Sequence, residues 1–166
     1  MYAGLRPYGI DIAANGAVAA VANIGRGMGD NDTISLIDLR AKPPRVVETV
    51  TVGQTPEGIN FSPDGSLVAV VVMNGSNKAK ESPFFNDNGK LLLFRVSGTS
   101  FSKVGEVPIG HWSQGAAFSA DGRTILVGNM VEKELQVLEW TGSALRDTGH
   151  RIKVKGGPAA VRTADR

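Results

Sequence analysis

Cysteine is missing from this sequence of 166 residues, and only 6% of the residues are aromatic. Without cysteine the chain can form no disulfide, no thiolate nucleophile and no cysteine-based zinc site. Long apolar stretches are lacking too, since the longest run extends from Leu67 to Met73. A membrane-spanning helix needs about 20 apolar residues, so we expect no membrane partner. The first residues, MYAGLRPYG, lack the charged and apolar regions of a signal peptide, which predicts no visible export signal.

An excess of one charge is also absent. The 18 Lys and Arg residues nearly balance the 16 Asp and Glu residues, and the net charge is +2. This balance gives no indication of nucleic acid as a partner. The chain is instead rich in glycine, with 21 residues, and it has few apolar patterns of helical period. These features favour β structure.

Three segments of the chain repeat one pattern, in which a glycine precedes an Asn-Gly or Asp-Gly pair by six residues. They are RPYGIDIAANGAVAAVAN from Arg6, TPEGINFSPDGSLVAVVVMN from Thr55 and WSQGAAFSADGRTILVGN from Trp112. A fourth segment, GPAAVRTAD from Gly157, repeats only the beginning of the pattern. Successive repeats are 49, 57 and 45 residues apart, which is the range of β-propeller blades.

Each repeat predicts four short strands. The Asn-Gly or Asp-Gly pair ends the first strand with the positive φ that a tight hairpin turn needs. The second strand is almost wholly apolar, as expected for a strand that is covered on both faces. The fourth carries polar residues at alternate positions, which suits an exposed edge. Loops of variable length, at residues 24–32, 75–89 and 130–133, join the second and third strands on one rim.

The repeat resembles a known family. The pattern P-x-G-[IA]-x-F-S-x-D-G, an apolar strand ending in Asn, a V-S-V-I-D-like strand and a closing V-x-V-G are similar to the YVTN-type repeat of lactonase-like (6-phosphogluconolactonase-like) β-propellers. The likeness extends from Gly4 to Asp165, although Val154-Lys155 replaces the closing Val-Gly step in the last repeat. It implies an all-β propeller fold, in a piece equivalent to the C-terminal portion of the family, and it favours a periplasmic or extracellular location.

The number of repeats predicts an incomplete ring. We expect one partial propeller domain over residues 1–166, with blades at about 6–54, 55–111 and 112–157 and an isolated inner strand of a fourth blade at 158–164. Closed propellers have about four to eight blades. An open wedge of three would expose apolar sheet faces, so the expected partners are the missing blades or a second copy of the chain.

The resemblance also implies where a ligand binds, because the ligand-facing rim of such propellers carries the loops that enter the first strand and leave the second. On that rim Glu57 is a candidate general base, His111 a candidate proton carrier and Arg6 a candidate anion-binding residue. The alternatives are that Glu57 is a solvated rim charge and that His111 is structural. The candidate ligand contacts are Tyr8, Trp112, Gln114, Asn23, Asn74 and Asn129. The three asparagines have an alternative role in capping turns.

Two acidic loops suggest a metal. Gly29–Asp32 and Asn86–Gly89 place oxygen ligands close together, so Asp30, Asp32 and Asp87 are weak candidates for calcium. Neither loop has the spacing of an EF-hand, and polar hairpin loops are the alternative. No other cofactor is expected. In the longer loop, adjacent Phe84 and Phe85 predict either an anchor that packs onto the next blade or a contact with a ligand or partner.

Two functions follow. The first is a binding or scaffold module that uses its rim and channel for a small-molecule or protein ligand. The alternative is a lactonase-like hydrolase of sugar lactones, whose site is shared with the missing blades. The sequence has no G-x-S-x-G, H-E-x-x-H or P-loop signature to choose another enzyme class.

Overall fold

A computed structural model describes residues 1–163 of the chain, and these residues form twelve strands and no helix. The strands are β1 Pro7–Ile12, β2 Val18–Asn23, β3 Asp32–Asp38, β4 Arg45–Gly53, β5 Pro56–Phe61, β6 Leu67–Val72, β7 Gly89–Ser97, β8 Ser100–Ile109, β9 Ser113–Phe118, β10 Thr124–Asn129, β11 Glu134–Trp140 and β12 Leu145–Lys153. They build three four-stranded antiparallel sheets: sheet 1 (β1–β4), sheet 2 (β5–β8) and sheet 3 (β9–β12). The strands of each sheet fall inside one of the expected repeat ranges. Within residues 1–163, a membrane-spanning helix is not found.

The hairpin turn between the first two strands of a sheet explains the S-x-D-G pattern. In sheet 2, Gly65 has a φ of +72°, which only glycine adopts without strain. Asp64 Oδ1 accepts hydrogen bonds from Ser62 Oγ at 2.6 Å and from the Ser66 backbone nitrogen at 3.1 Å. These bonds, with that of Ser62 first, lower the pKa of Asp64 below its ordinary value. The turn is therefore fixed by local chemistry, and it sets the register of the two strands.

The three sheets stack face to face through apolar side chains. All six residues of β2 and all six of β6 are buried, as the apolar sequence of these strands predicts. Ala20 and Leu36 of sheet 1 pack in one cluster with Ile59 and Phe61 of sheet 2, and a second cluster joins sheets 2 and 3. Burial of apolar surface contributes about 25 cal/mol per Å², so these two interfaces form the core.

The innermost strands of the sheets, β1, β5 and β9, lie very close to one another. A Cβ atom added to Gly9 would collide with the backbone oxygen of Glu57, and one added to Gly58 would collide with the backbone oxygen of Gln114. A Cβ atom on Gly115 would approach the backbone nitrogen of Val161 to 2.5 Å. The repeated glycine is therefore required because neighbouring inner strands leave no room for a side chain.

The inner strand expected at 158–164 is not confirmed. Residues 158–163 form no strand, and Ala164 lies outside the described residues. The segment nevertheless lies against Gly115 and Gly128, where a fourth inner strand would stack on sheet 3. A strand needs a hydrogen-bonded neighbour, and the described residues supply none at this position.

Candidate functional site

The second residues of the three inner strands occupy equivalent positions. They are Tyr8 in Pro-Tyr-Gly, Glu57 in Pro-Glu-Gly and Gln114 in Ser-Gln-Gly. The Nε2 atom of Gln114 donates a hydrogen bond of 3.2 Å to Oε1 of Glu57. The Tyr8 hydroxyl lies close enough to the same carboxylate for each group to change the pKa of the other. We call these three residues the inner row; they lie where β1, β5 and β9 begin.

The carboxyl group of Glu57 dominates the electrostatics of the inner row. Burial raises the pKa of its carboxyl above the ordinary value, and the hydrogen bonds of Tyr8 and Gln114 oppose this effect. The negative charge of Glu57 in turn raises the pKa of the Tyr8 hydroxyl. A half-buried carboxylate with a raised pKa can accept a proton from a bound water or hydroxyl group, so the row has the chemistry of a proton acceptor between two polar contacts.

Unusual backbone conformations precede each inner strand. Arg6, Thr55 and Trp112 have φ angles of +54°, +54° and +51°. Side-chain residues rarely adopt this region, and a β-branched residue such as Thr55 does so least. Non-glycine residues in this conformation cluster at binding sites, where the surrounding structure holds them. This feature has no signal in the sequence, because nothing in Arg-Pro, Thr-Pro or Trp-Ser requires a positive φ.

Side chains from the preceding sheet hold two of these residues in place. The Thr55 backbone nitrogen donates to Asp32 Oδ2 at 2.9 Å, and the Trp112 backbone nitrogen donates to Ser76 Oγ at 3.1 Å. Asp32 is buried, and its burial raises the pKa of the carboxyl, although the Thr55 bond and the charge of Arg6 oppose the change. The loop after the second strand of one sheet thus fixes the start of the inner strand of the next.

His111 lies between two carboxylates. Its Nδ1 atom is 2.6 Å from Glu132 Oε1, and its Nε2 atom is 3.4 Å from Asp87 Oδ1. The hydrogen bond to Glu132, followed by that to Asp87, raises the pKa of the imidazole above its ordinary value. The sequence did not single out Glu132, which lies 21 residues from His111 and becomes its neighbour only through the pairing of β10 with β9.

The loop at residues 75–89 contacts all three sheets. The Phe84 ring packs against Gly29 in the loop of sheet 1, and Lys78 Nζ donates to the Gly27 oxygen at 2.6 Å. On the other side, Ser76 and Asp87 contact Trp112 and His111 of sheet 3. Phe84 is therefore an anchor, which is one of the two expected roles. It packs against the preceding sheet and not the next one, because the loop reaches back to the β2–β3 loop of sheet 1.

The asparagines that follow the second strands differ between sheets. Asn23 and Asn129 are buried: Asn23 Nδ2 donates to Ser35 Oγ at 3.0 Å, and Asn129 Oδ1 accepts from the Gly110 nitrogen at 3.1 Å. Asn23 Nδ2 also donates to the Ala3 oxygen at 3.5 Å, so each of the two asparagines ties its own sheet to the chain segment that precedes its inner strand. Asn74, by contrast, lies beyond the end of β6. It has a φ of +55°, and its side chain donates a hydrogen bond to the Asn88 backbone oxygen. All three thus satisfy backbone or side-chain groups of the protein.

The candidate catalytic residues have separate partners. Arg6 Nη1 donates to the Gly25 oxygen at 3.2 Å within sheet 1, Glu57 belongs to the inner row, and His111 is held by Glu132 and Asp87. No hydrogen bond joins any two of the three among residues 1–163. The structure therefore assembles the inner row and leaves Arg6 and His111 in contacts of their own.

The candidate metal ligands are dispersed. Asp32 accepts the Thr55 nitrogen and Asp87 faces His111, whereas Asp30 and Asp32 border a cavity of about 340 Å³ that Arg26 also lines. In the described part of the chain, no three His, Asp or Glu side chains are grouped so as to hold a metal ion. A larger cavity, about 780 Å³, lies at the opposite end of the inner strands, between Asp11, Asn60 and Phe118.

Comparison with known proteins shows which folds the chain resembles. No protein-family model matches the chain, and no curated protein matches it either. Among solved structures, a Bacteroides fragilis protein provisionally named a 6-phosphogluconolactonase is 21% identical, with a TM-score of 0.73 over 96% of this chain and 42% of its own length. The periplasmic gluconolactonase of Pseudomonas aeruginosa is 19% identical, with a TM-score of 0.68 over 92% of this chain and 41% of its own.

A third similar structure has another name. The β-propeller domain of Cps50 (Swd1) from Myceliophteria thermophila is 12% identical, with a TM-score of 0.63 over 94% of this chain and 44% of its own. The chain spans less than half the length of these proteins. At such identities the likeness establishes a propeller-like all-β fold of three four-stranded sheets, as the sequence predicted. The more specific YVTN-type resemblance stays a prediction.

Proposed function

We propose that the chain binds a small, hydroxyl-rich ligand at the inner row formed by Tyr8, Glu57 and Gln114. The observation that carries this proposal is the Glu57 carboxylate, held by Gln114 and facing Tyr8 at equivalent positions of three adjacent strands. A phenol, a carboxylate and an amide together offer donors and acceptors that match the hydroxyl groups of a sugar acid. Gluconate is a suitable probe, because two of the similar solved structures carry lactonase names.

Hydrolysis of a sugar lactone is the second candidate function. It is favoured by the half-buried Glu57, whose raised pKa suits a general base. Glu57 would take a proton from a water whose oxygen attacks the lactone carbonyl carbon. The ester C–O bond then breaks, the ring oxygen leaves as an alcohol after taking up a proton, and the product is a hydroxy acid.

Two measurements separate these functions. Calorimetric titration with gluconate tests binding, and proton release from glucono-1,5-lactone at constant pH, above the uncatalysed rate, tests hydrolysis. Glu57→Gln keeps the shape of the side chain and the contact with Gln114 but removes the base. Glu139→Gln, an exposed residue of β11, is the matched control.

If the chain binds only, gluconate binds and no proton release exceeds the background. If it hydrolyses lactones, Glu57→Gln abolishes the excess proton release, Glu139→Gln leaves it unchanged, and the wild-type rate rises as the pH passes through the raised pKa of Glu57. Absence of both signals would reject the inner row as a site for sugar acids and their lactones. By the family resemblance, we also propose a periplasmic or extracellular location, which fractionation of expressing cells tests.

A further inference from the structure

One face of sheet 1 exposes an apolar strip. Ile10 and Ile12 lie on one side of β1 and are 62% and 54% exposed. The residues equivalent to Ile10 and Ile12 are Ile59 and Phe61 in sheet 2, and these are 4% and 8% exposed. A soluble surface seldom carries such a strip unless another surface covers it.

The chain itself shows what covers these positions. In sheet 1, Ala20 pairs with Leu36, and both pack in one cluster with Ile59 and Phe61. In sheet 2, the equivalent pair, Ala69 and Leu93, packs in one cluster with the equivalent residues of sheet 3, Ala116 and Phe118. Each covered strip therefore meets one kind of surface: an aliphatic pair at a fixed place on the second and third strands of the preceding sheet.

Sheet 3 carries a third pair of this kind. Leu126 pairs with Val137, in the same register as the pairs of sheets 1 and 2, and both side chains point away from the core cluster that contains Ile125 and Leu138. Both are only partly buried. The described chain thus has one uncovered strip, on sheet 1, and one aliphatic pair on a face of sheet 3 that residues 158–161 partly cover at Gly115 and Gly128.

We propose that the apolar strip of sheet 1 binds the Leu126–Val137 face of a second copy of this chain, in the arrangement by which sheet 2 binds sheet 1. The two surfaces lie at opposite ends of the stack, so the contact is head to tail. Two copies joined at both seams contain six sheets, a number at which propellers close. Residues 158–161 lie against Gly115 and Gly128 on this face of sheet 3 without strand pairing, so the arriving β1 has to displace them.

The test measures molar mass in solution by light scattering and sedimentation at micromolar concentration. The wild-type chain is expected to be a dimer. Ile10→Glu is expected to raise the dissociation constant of the dimer at least about tenfold, and so is Val137→Glu. Each substitution places a charge on one of the two contacting surfaces, and it does so in both contacts of the dimer. Met28→Glu is the control, since Met28 is 62% exposed in the loop between β2 and β3, where its neighbours Gly27 and Gly29 contact the loop of sheet 2 and neither of the two proposed surfaces. Circular dichroism on heating checks that each variant is folded, and Val137→Ser replaces Val137→Glu if the latter is not.

Mixing the two variant chains tests whether the contact is head to tail. The Ile10→Glu and Val137→Glu chains are each monomeric alone, yet together they keep one intact seam and should form a one-to-one pair. A monomeric wild-type chain would overturn the proposal and leave the strip to a different polypeptide. A dimer that survives either substitution, or variants that do not associate when mixed, would overturn the head-to-tail contact. The inner row is untouched by these variants, so the proposal stands or falls independently of ligand binding.

Discussion

The side-chain amide of Gln114 donates a hydrogen bond of 3.2 Å to the carboxylate of Glu57, so one charged group of sheet 2 depends on a residue of sheet 3. This contact connects neighbouring inner strands at the point where their backbones already touch. It also keeps a partly desolvated carboxylate oriented in the absence of a neutralising cation. Such an arrangement has a cost in stability, which leads to the first prediction.

Glu57→Gln is expected to make the protein more stable at neutral pH. Burial raises the pKa of Glu57 in the folded state, so its contribution to stability is present below the unfolded pKa and is lost as the pH rises through the folded pKa. The variant should therefore exceed the wild type in urea midpoint at pH 7, and the difference should vanish near pH 4. A variant less stable than the wild type at pH 7 would show that Glu57 stabilises the fold.

His111 should also stabilise the fold more at low pH than at high pH, but through its charged form. Its hydrogen bonds to Glu132 and Asp87 favour the imidazolium and raise its pKa in the folded state. The resulting stabilisation is complete below the unfolded pKa of about 6.5 and is lost as the pH rises through the folded pKa. We expect His111→Gln to cost about 0.5 kcal/mol at pH 5.5 and little at pH 8.5, measured by urea unfolding. An equal cost at both pH values would contradict the role of the imidazolium.

Thr55→Asn is expected to stabilise the fold. Thr55 holds a φ of +54°, and a non-glycine residue in this region costs about 1–3 kcal/mol. Asparagine adopts the region more readily and keeps the backbone bond to Asp32. A gain of about 1 kcal/mol in unfolding free energy is the expected result. The control is Thr51→Asn on the extended strand β4, which should lose a few tenths of a kcal/mol.

Leu36→Ala tests the interface between sheets 1 and 2. Leu36 is fully buried in the cluster that receives Ile59 and Phe61, so removal of its side chain leaves a cavity. The expected cost is about 2–5 kcal/mol in unfolding free energy. Val131→Ala, at a residue that is 58% exposed, should cost less than about 0.5 kcal/mol. Similar costs at the two sites would show that this face of sheet 1 is not packed in solution.

Calcium should have little effect on the melting temperature. The Asp32 carboxylate already accepts a hydrogen bond from the Thr55 nitrogen, and Asp87 faces His111. Asp30 lines a cavity that Arg26 also lines. Calcium needs six to eight oxygen ligands. We therefore expect equal melting curves in excess calcium and in excess chelator. A rise of several degrees with calcium, lost in Asp30→Asn, would instead assign a metal to this loop.

The repeats predicted most of the fold because each strand carries its own signal. The Asp64-Gly65 turn, the apolar run of β6 and the close-approach Gly58 are local features, and the structure has each where the sequence indicated it. The strand expected at 158–164 was not found, because a strand depends on neighbours that a local pattern does not reveal.

The candidate site was less predictable. Glu57 and Gln114 were singled out separately, and their hydrogen bond arises from the stacking of two sheets, which no spacing in the sequence shows. Glu132 was missed, because its only signal is a position after β10 that becomes adjacent to His111 once β9 and β10 pair. The positive φ angle of Trp112 was also missed, because a side chain from the loop of sheet 2, Ser76, holds this residue in place.

The loop at residues 75–89 changes how cooperatively the molecule unfolds. In a simple repeat array each unit contacts only its neighbours, and the ends can melt while the middle stays folded. Here Phe84 and Asp87, three residues apart, rest on sheets 1 and 3, which are not adjacent in the chain order. Loss of either outer sheet removes part of the support of this loop. The loop thus adds a coupling beyond nearest neighbours and favours a single all-or-none transition over fraying from the ends.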